Sequence, residues 1–358
     1  MSSALYSDCA PKLSDSHQAW NRKMTLPWQQ QQWEHLCSYI AQKRIPQALL
    51  ITGNKGLGKQ QLARQFAVAL LCATPKADGT ACGHCSSCLL VNADTHPDFI
   101  QLQPEELGKG IGIGQIRSLI TRLTLKPQFE TYRVVIVNPA DKMNNAAANA
   151  FLKCLEEPTE RTAILLITEK PAKLPATIIS RCQKLAIPTP DKETVADWLA
   201  GTLQSKSPLA PLLQRGDLYC NMSLAQGSPL LALDYANEQT LALRNECFEA
   251  WMAIAKQRKS PVIVAEDWQK LSTAPLIFWI TSWIIDLIKC FYQTQVENSY
   301  NPDLNGQLQE LAEQIELKGL YRLYDLLLLG RQRLDTQINK QLLFEEILIQ
   351  WHELNRSK

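Results

Sequence analysis

Five short apolar runs mark the first half of this chain, at residues 48–51, 98–102, 133–137, 163–167 and 184–187. Arg133-Val134-Val135-Ile136-Val137 is β-branched and almost free of polar groups, the composition of a strand buried on both faces. Stretches of helical period separate the runs, and this alternation predicts a parallel sheet with helices on both faces. Asn144 to Glu157 reads as one such helix, closed by Pro158, which cannot continue it. The glycine-rich stretch from Gly108 to Gly114 precedes another helix, but no strand of adequate length leads into it. It reads as a loop and short strand rather than a second nucleotide fingerprint.

After Pro188-Thr189-Pro190 the pattern changes. Residues 191–235 read as a small helical lid, with an amphipathic segment at Glu193 to Leu199 and a Gly227-Ser228-Pro229 turn before another helix. Residues 236–358 are helical throughout, without strand-like alternation. The segment from Pro275 to Asp286 is the most apolar, yet it is too short to span a bilayer and ends in a charge, so a buried helix is expected. Leu320 to Leu329 and Leu342 to Ile349 are too apolar for solvated helices and must pack inside the domain or on a partner. Residues 1–23 are polar, patternless and unlike a signal peptide. They read as a disordered extension, or as the product of a start codon assigned too early. The fold class is therefore α/β followed by all-α, with boundaries at 24–190, 191–235 and 236–358. A length of 358 residues fits two or three domains, and a net charge of +2 exerts no general pull towards nucleic acid or membrane.

The chemistry begins at Gly53-Asn54-Lys55-Gly56-Leu57-Gly58-Lys59, between the run Ala48 to Ile51 and an amphipathic helix. In this strand–loop–helix setting Gly53, Gly56 and Gly58 let backbone N–H groups close around phosphate oxygens, and Lys59 would reach the terminal phosphates. The next residue should carry a hydroxyl for Mg²⁺ and is instead Gln60. The strand at 133–137 should end in Asp and Glu, for the metal and the attacking water, and ends in Asn138-Pro139. A neutral amide is a poor Mg²⁺ ligand and proline has no side-chain base. Three positions needed for hydrolysis are therefore spoiled. Any residual nucleotide binding should be weak, independent of Mg²⁺ and without turnover.

Four of the eleven cysteines form Cys72-x₉-Cys82-x₂-Cys85-x₂-Cys88. Tight pairs separated by glycine and small serines suit turns that aim thiolates at one tetrahedral ion, and structural Zn²⁺ is expected. Reduced surface cysteines, or a knuckle that contacts nucleic acid, are the other readings. His84 and His96 are read as bystanders.

The cysteine knuckle after the loop helix, Thr95-His96-Pro97-Asp98, Ala147 to Pro158 with its Phe151-Leu152-Lys153-Cys154-Leu155-Glu156-Glu157-Pro158, and Ser180-Arg181-Cys182 together resemble bacterial clamp-loader subunits of the AAA+ class. The resemblance is strong over residues 24–235 and weak over the helical remainder. The defects at 60, 138 and 139 separate the chain from the ATP-hydrolysing gamma/tau subunit, as does Pro229 to Leu231 where that subunit has a sensor arginine. The resemblance implies an AAA+ domain with a zinc insertion, a lid and a C-terminal collar that holds five subunits in a ring. It implies partners: three gamma/tau subunits, one delta, the beta sliding clamp and primed DNA, in the bacterial cytoplasm. It also implies that Arg181 acts in trans on ATP held by the neighbour, and that Thr168 is the relic of a phosphate sensor. The family is grouped with DNA-directed DNA polymerases through its holoenzyme, although nothing here resembles a polymerase active site. Glu156 and Glu157 point about 100° apart on a helix, so a capping or interface role is favoured over acid–base chemistry. Arg117 and Arg122, on the helix beginning near Ile116, are candidates for DNA contact or for a solvated face. Two rival readings are an active ATPase rescued by another carboxylate and a zinc-knuckle nucleic-acid binder.

Overall fold

A computed structural model describes residues 25–106, 109–129, 131–157, 159–206, 222, 225, 227–235, 238–292, 299–333 and 339–356. The expected extension at 1–23, Gly108, Pro158 and much of the segment between 207 and 226 lie outside the described residues.

Strands β1 (Ala48–Thr52), β2 (Phe99–Leu102), β3 (Arg133–Val137), β4 (Thr162–Thr168) and β5 (Gln183–Ala186) form one parallel sheet in the order β2-β3-β4-β1-β5. Alternate residues feed two separate cores. Leu49, Ile51, Val134, Ile136, Leu165 and Ile167 face one side, while Leu50, Val135, Val137, Ile164 and Leu166 face the other. Burial on both sides is why these strands read as unbroken apolar runs. The first face is covered by α1 (Gln30–Ala41) and α2 (Lys59–Leu71), through Leu36, Leu62, Phe66 and Leu70. A knuckle helix, α3 (Ser86–Asn92), adds Val91 to the same face. The second is covered by α4 (Ile113–Thr124) and α5 (Asn145–Glu156), through Ile116, Leu119, Ala147 and Phe151. Each fully buried Leu or Phe contributes about 1.5–3 kcal/mol. Asn144 caps α5, its Oδ1 accepting from the Ala147 N–H at 2.8 Å. The glycine-rich stretch enters α4 through a single bridge between Ile111 and Met143, consistent with a loop rather than a phosphate cradle.

The register levels the carboxyl ends of the central strands, with Thr52 opposite Thr168 and Val137 opposite Leu166. Ligands of open parallel sheets bind beyond these ends. This edge therefore holds the candidate site, together with α6 (Ala176–Ile179) on the approach to β5.

Beyond β5 the elements among the described residues are helices: α7 (Lys192–Lys206), α8 (Pro229–Tyr235), α9 (Glu238–Ala255), α10 (Pro261–Trp268), α11 (Thr273–Tyr292), α12 (Asn305–Ala312), α13 (Leu317–Arg333) and α14 (Lys340–Arg356). One buried cluster runs from Val195 in α7 to Trp351 in α14. At its centre Trp251 and Trp351 stack at 3.8 Å, and the Trp351 indole N–H donates to the Trp251 carbonyl. Helix α11 is longer than its apolar run suggests and, by length and composition, could cross a membrane, but Ile280, Trp283, Ile284 and Leu287 are buried in this cluster. Asp286 does not end the helix. It is buried and accepts from the Tyr300 and Asn301 N–H groups at 3.0 and 2.8 Å, so its charge is solvated by protein rather than water.

Candidate functional site

The glycine loop leads from β1 into α2 with Gly56 at φ +72° and Gly58 at φ +78°, the left-handed region that glycine enters without strain. The loop is closed from within and from both flanks. Inside, the Lys59 ammonium folds back to donate to the Asn54 carbonyl at 2.6 Å, with Glu169 at 3.9 Å. Burial lowers the Lys59 pKa, and Glu169 and Asp141 oppose that shift only in part. On one flank Trp28 Nε1 and Gln29 Nε2 both donate to the Leu57 carbonyl, at 3.0 and 2.6 Å. On the other flank sits the turn before α8. The Leu230 N–H donates to the Gly56 carbonyl at 3.2 Å, and Asn54 Nδ2 donates to Thr189 Oγ1 at 3.2 Å. Ser228 Oγ lies so close to Gly56 that a Cβ there would stand 1.8 Å from it.

Gln60 and Asn138 meet. Asn138 Nδ2 donates to Gln60 Oε1 at 3.1 Å, so an amide–amide hydrogen bond joins the two positions at which the sequence pattern calls for a hydroxyl and a carboxylate. Thr168, at the end of β4, donates to Asp141 Oδ1 at 2.6 Å and accepts from the Lys170 N–H, so its hydroxyl is engaged locally.

The four cysteines converge as their spacing implies. Cys72 caps the C-terminus of α2, Cys85 caps the N-terminus of α3, and all four Sγ atoms lie within 4.8 Å of one another. The Cys72–Cys85 and Cys82–Cys88 sulfurs are each 3.9 Å apart. Tetrahedral Zn–S bonds of about 2.3 Å place sulfurs roughly 3.8 Å apart, so these two pairs already stand at the spacing of a zinc site and the donor set suits that ion. Backbone N–H groups of Cys82, Cys85 and Cys88 point at the sulfurs of Cys72, Cys82 and Cys85, at 3.3, 3.3 and 3.5 Å. These donors favour thiolate. The Thr74 side chain and the His84 N–H hold the Cys82 thiol down at about 5, whereas burial pushes Cys88 up. His84 Nδ1 faces the Cys82 carbonyl at 3.0 Å, outside the cluster. His96 is buried, accepts from the Asp98 N–H at 3.1 Å and packs on Phe129. The nine described cysteines are free of disulfides.

Arg181 follows α6 and is part-exposed, in contrast to its neighbour Cys182, which is buried. Its Nη1 donates to the Thr177 carbonyl at 2.9 Å, and its Nη2 lies 2.8 Å from Glu156 Oε1. Glu156 ends α5, and Glu157 is the residue that caps it.

Two family models match, described as "DNA polymerase III, delta subunit" over residues 28–191 and "DNA polymerase III, delta subunit, C terminal" over residues 238–353. The delta-prime subunit of DNA polymerase III from Pseudomonas aeruginosa is 34% identical over 330 residues, covering 92% of this chain and 97% of that one. The chain belongs to the DNA polymerase III delta-prime family. The Escherichia coli delta-prime subunit is 28% identical over 90% of this chain and 94% of its own length. A gamma-subunit-related protein of DNA polymerase III from Thermotoga maritima overlays 91% of the chain and 100% of its own, at 18% identity and a TM-score of 0.49. This delta-prime family member is accordingly a clamp-loader subunit and a component of a DNA polymerase III holoenzyme.

Several residues around the site carry no motif of their own. Trp28, Gln29 and Ser228 look ordinary in sequence, and only folding sets them on the loop. Asp98 of the Thr-His-Pro-Asp element proves to be a buried brace, paired with Arg133 at 3.2 Å and accepting from the Gln128 and Phe129 N–H groups. The one signal available beforehand was the oddity of a charged Arg133 opening an apolar strand.

Proposed function

We propose that this chain is the non-hydrolysing stator of the clamp loader, working with gamma/tau and delta subunits in a hetero-pentamer to load the beta sliding clamp onto primed DNA. It has no ATPase of its own and supplies Arg181 in trans to the ATP site of the adjacent gamma/tau subunit. The observation that carries this reading is the hydrogen bond between Gln60 and Asn138, which ties together the two places where magnesium ligands are required. The loop beside it is filled by Lys59 and held by the lid turn. A nucleotide would have to displace bonds the protein already makes, without the metal that ordinarily compensates.

Arg181 supports the other half. A guanidinium keeps its charge at any physiological pH and offers forked donors that match phosphate oxygens. With one Nη hydrogen on Thr177 and the other Nη near Glu156, the group still has N–H donors to present outward. As the neighbour's γ-phosphate leaves, those donors stabilise the charge that develops on its oxygens, a contribution on the order of 10³-fold or more. Cys72, Cys82, Cys85 and Cys88 would hold one zinc ion, which with four protein ligands serves structure rather than catalysis. The chain divides into an AAA+ domain at 24–190, a lid at 191–235 and a collar at 236–358, in the bacterial cytoplasm.

The test is the DNA- and clamp-stimulated ATPase of the reconstituted five-subunit loader carrying Arg181→Ala in this chain alone. Turnover is expected to fall with assembly intact by size-exclusion. Undiminished turnover would remove the trans role, and Mg²⁺-dependent hydrolysis by the isolated chain would remove the stator.

A further inference from the structure

The carboxylate facing Arg181 is in a place where helix energetics do not want it. Glu156 is the last residue of α5, where unsatisfied carbonyls give the helix its negative end, and an acidic side chain there is unfavourable. Its neighbour Glu157 adds a second negative charge at the same end. A lysine or a neutral residue would suit the helix better. What Glu156 gains is the 2.8 Å contact with the Arg181 guanidinium, across a gap that joins α5 to the turn after α6. Both side chains are part-exposed, at 48% and 39%. In that setting an ion pair contributes little to stability, so folding does not explain the arrangement.

Geometry does explain it. A free arginine side chain samples many rotamers, and holding it in one costs conformational entropy. Here two acceptors on different elements fix the head: the Thr177 carbonyl holds Nη1 at 2.9 Å, and Glu156 Oε1 holds Nη2 at 2.8 Å. Two contacts to one planar group determine its plane as well as its position. Thr177 belongs to the short helix α6, and Glu156 to a helix packed on the sheet through Phe151 and Ala147. The guanidinium is thereby referenced to the rigid part of the domain rather than to its own flexible stem.

We propose that Glu156 is a positioning residue for Arg181, holding the guanidinium ready for the phosphates of the neighbouring subunit's ATP. The inference rests on the trans role of Arg181 proposed above. Glu156 does not touch the nucleotide; it acts through the arginine. Orientation of this kind is felt in the transition state more than in binding, because the neighbour's own loop sets its affinity for ATP. Misplacement of a catalytic group by 1 Å can cost about 10²-fold, and loss of one of two restraints should cost less.

The experiment is steady-state ATPase of the reconstituted loader with Glu156→Ala, Glu156→Gln, Arg181→Ala or the Glu156→Ala/Arg181→Ala pair in this chain. Glu156→Ala is expected to lower kcat about tenfold while KM for ATP stays within about twofold. Glu156→Gln retains an acceptor of the same length and is expected to recover most of that loss. The double variant should be no worse than Arg181→Ala alone. Unchanged or raised kcat in Glu156→Ala, with Arg181→Ala inactive, would overturn the positioning role and leave the trans arginine standing. Unchanged kcat in Arg181→Ala would overturn both. A loss in Glu156→Ala that adds fully to that of Arg181→Ala, or that Gln does not restore, would also refute it.

Discussion

Gly56→Ala measures how firmly the turn before α8 is seated on the glycine loop. The added Cβ would lie 1.8 Å from Ser228 Oγ, 3.2 Å from Ser228 Cβ and 3.4 Å from the Leu231 nitrogen. An optimal contact is near 3.5 Å, so the hydroxyl must leave. Ser228 is the residue before α8, and its Oγ accepts from the Leu231 N–H at 3.4 Å; removing such a cap costs about 1 kcal/mol. The φ of +72° adds roughly 1–2 kcal/mol for any residue with a Cβ. The single substitution should therefore destabilise by about 2–3 kcal/mol, which at an m-value near 2–3 kcal/mol/M moves the urea midpoint by about 1 M. Ser228→Ala alone should cost about 1 kcal/mol. In the double variant the cap is lost only once, so its destabilisation should fall short of the sum by about 1 kcal/mol. Urea unfolding followed by circular dichroism on the four proteins reads this directly. Additivity within about 0.3 kcal/mol would show that Ser228 and Gly56 do not share a contact in solution, and the closed loop would have to be abandoned.

The remaining expectations concern charge and metal. Lys59→Met should raise the melting temperature at pH 7, because the buried ammonium is held below its ordinary pKa by desolvation. Above the folded pKa the native state has already released the proton that the unfolded chain still binds, so stability of the parent rises with pH up to about 10.5. The advantage of the Met variant should therefore shrink as pH rises through the lowered folded pKa towards 10.5, and a variant less stable at pH 7 would contradict this. The native chain should carry one equivalent of zinc by atomic absorption, and Cys82→Ser should carry little, with new proteolytic cleavage confined to the knuckle. Stoichiometric zinc in Cys82→Ser would show that this thiolate is not a ligand.

The sheet was legible because strands buried on both faces leave an unmistakable trace: Val134 and Val135 serve opposite cores, so both must be apolar. The cysteine cluster was legible because its four thiols lie within a short stretch. Local spacing there fixes most of the geometry. The closure of the loop was not legible. Ser228 and Gly56 are brought together by the fold, and no local rule links residues so distant in sequence. The pairing of Gln60 with Asn138 was half-visible, since both residues depart from the expected motif, but their bond to each other is set by the fold. Asp286 misled for a physical reason. A charge in an apolar run suggests a boundary, whereas here the turn at Ser299 to Asn301 wraps it in donors and the helix continues through it.

The turn before α8 also bears on how such a subunit could change over time. Restoring a hydroxyl at 60 and carboxylates at 138 and 139 would rebuild the metal chemistry, yet Leu230 would still bond to Gly56 and Ser228 would still crowd it. Opening the glycine loop would therefore need substitutions in two regions at once, at the loop itself and at the turn before α8. Its closed form is held by packing as well as by the residues at 60 and 138.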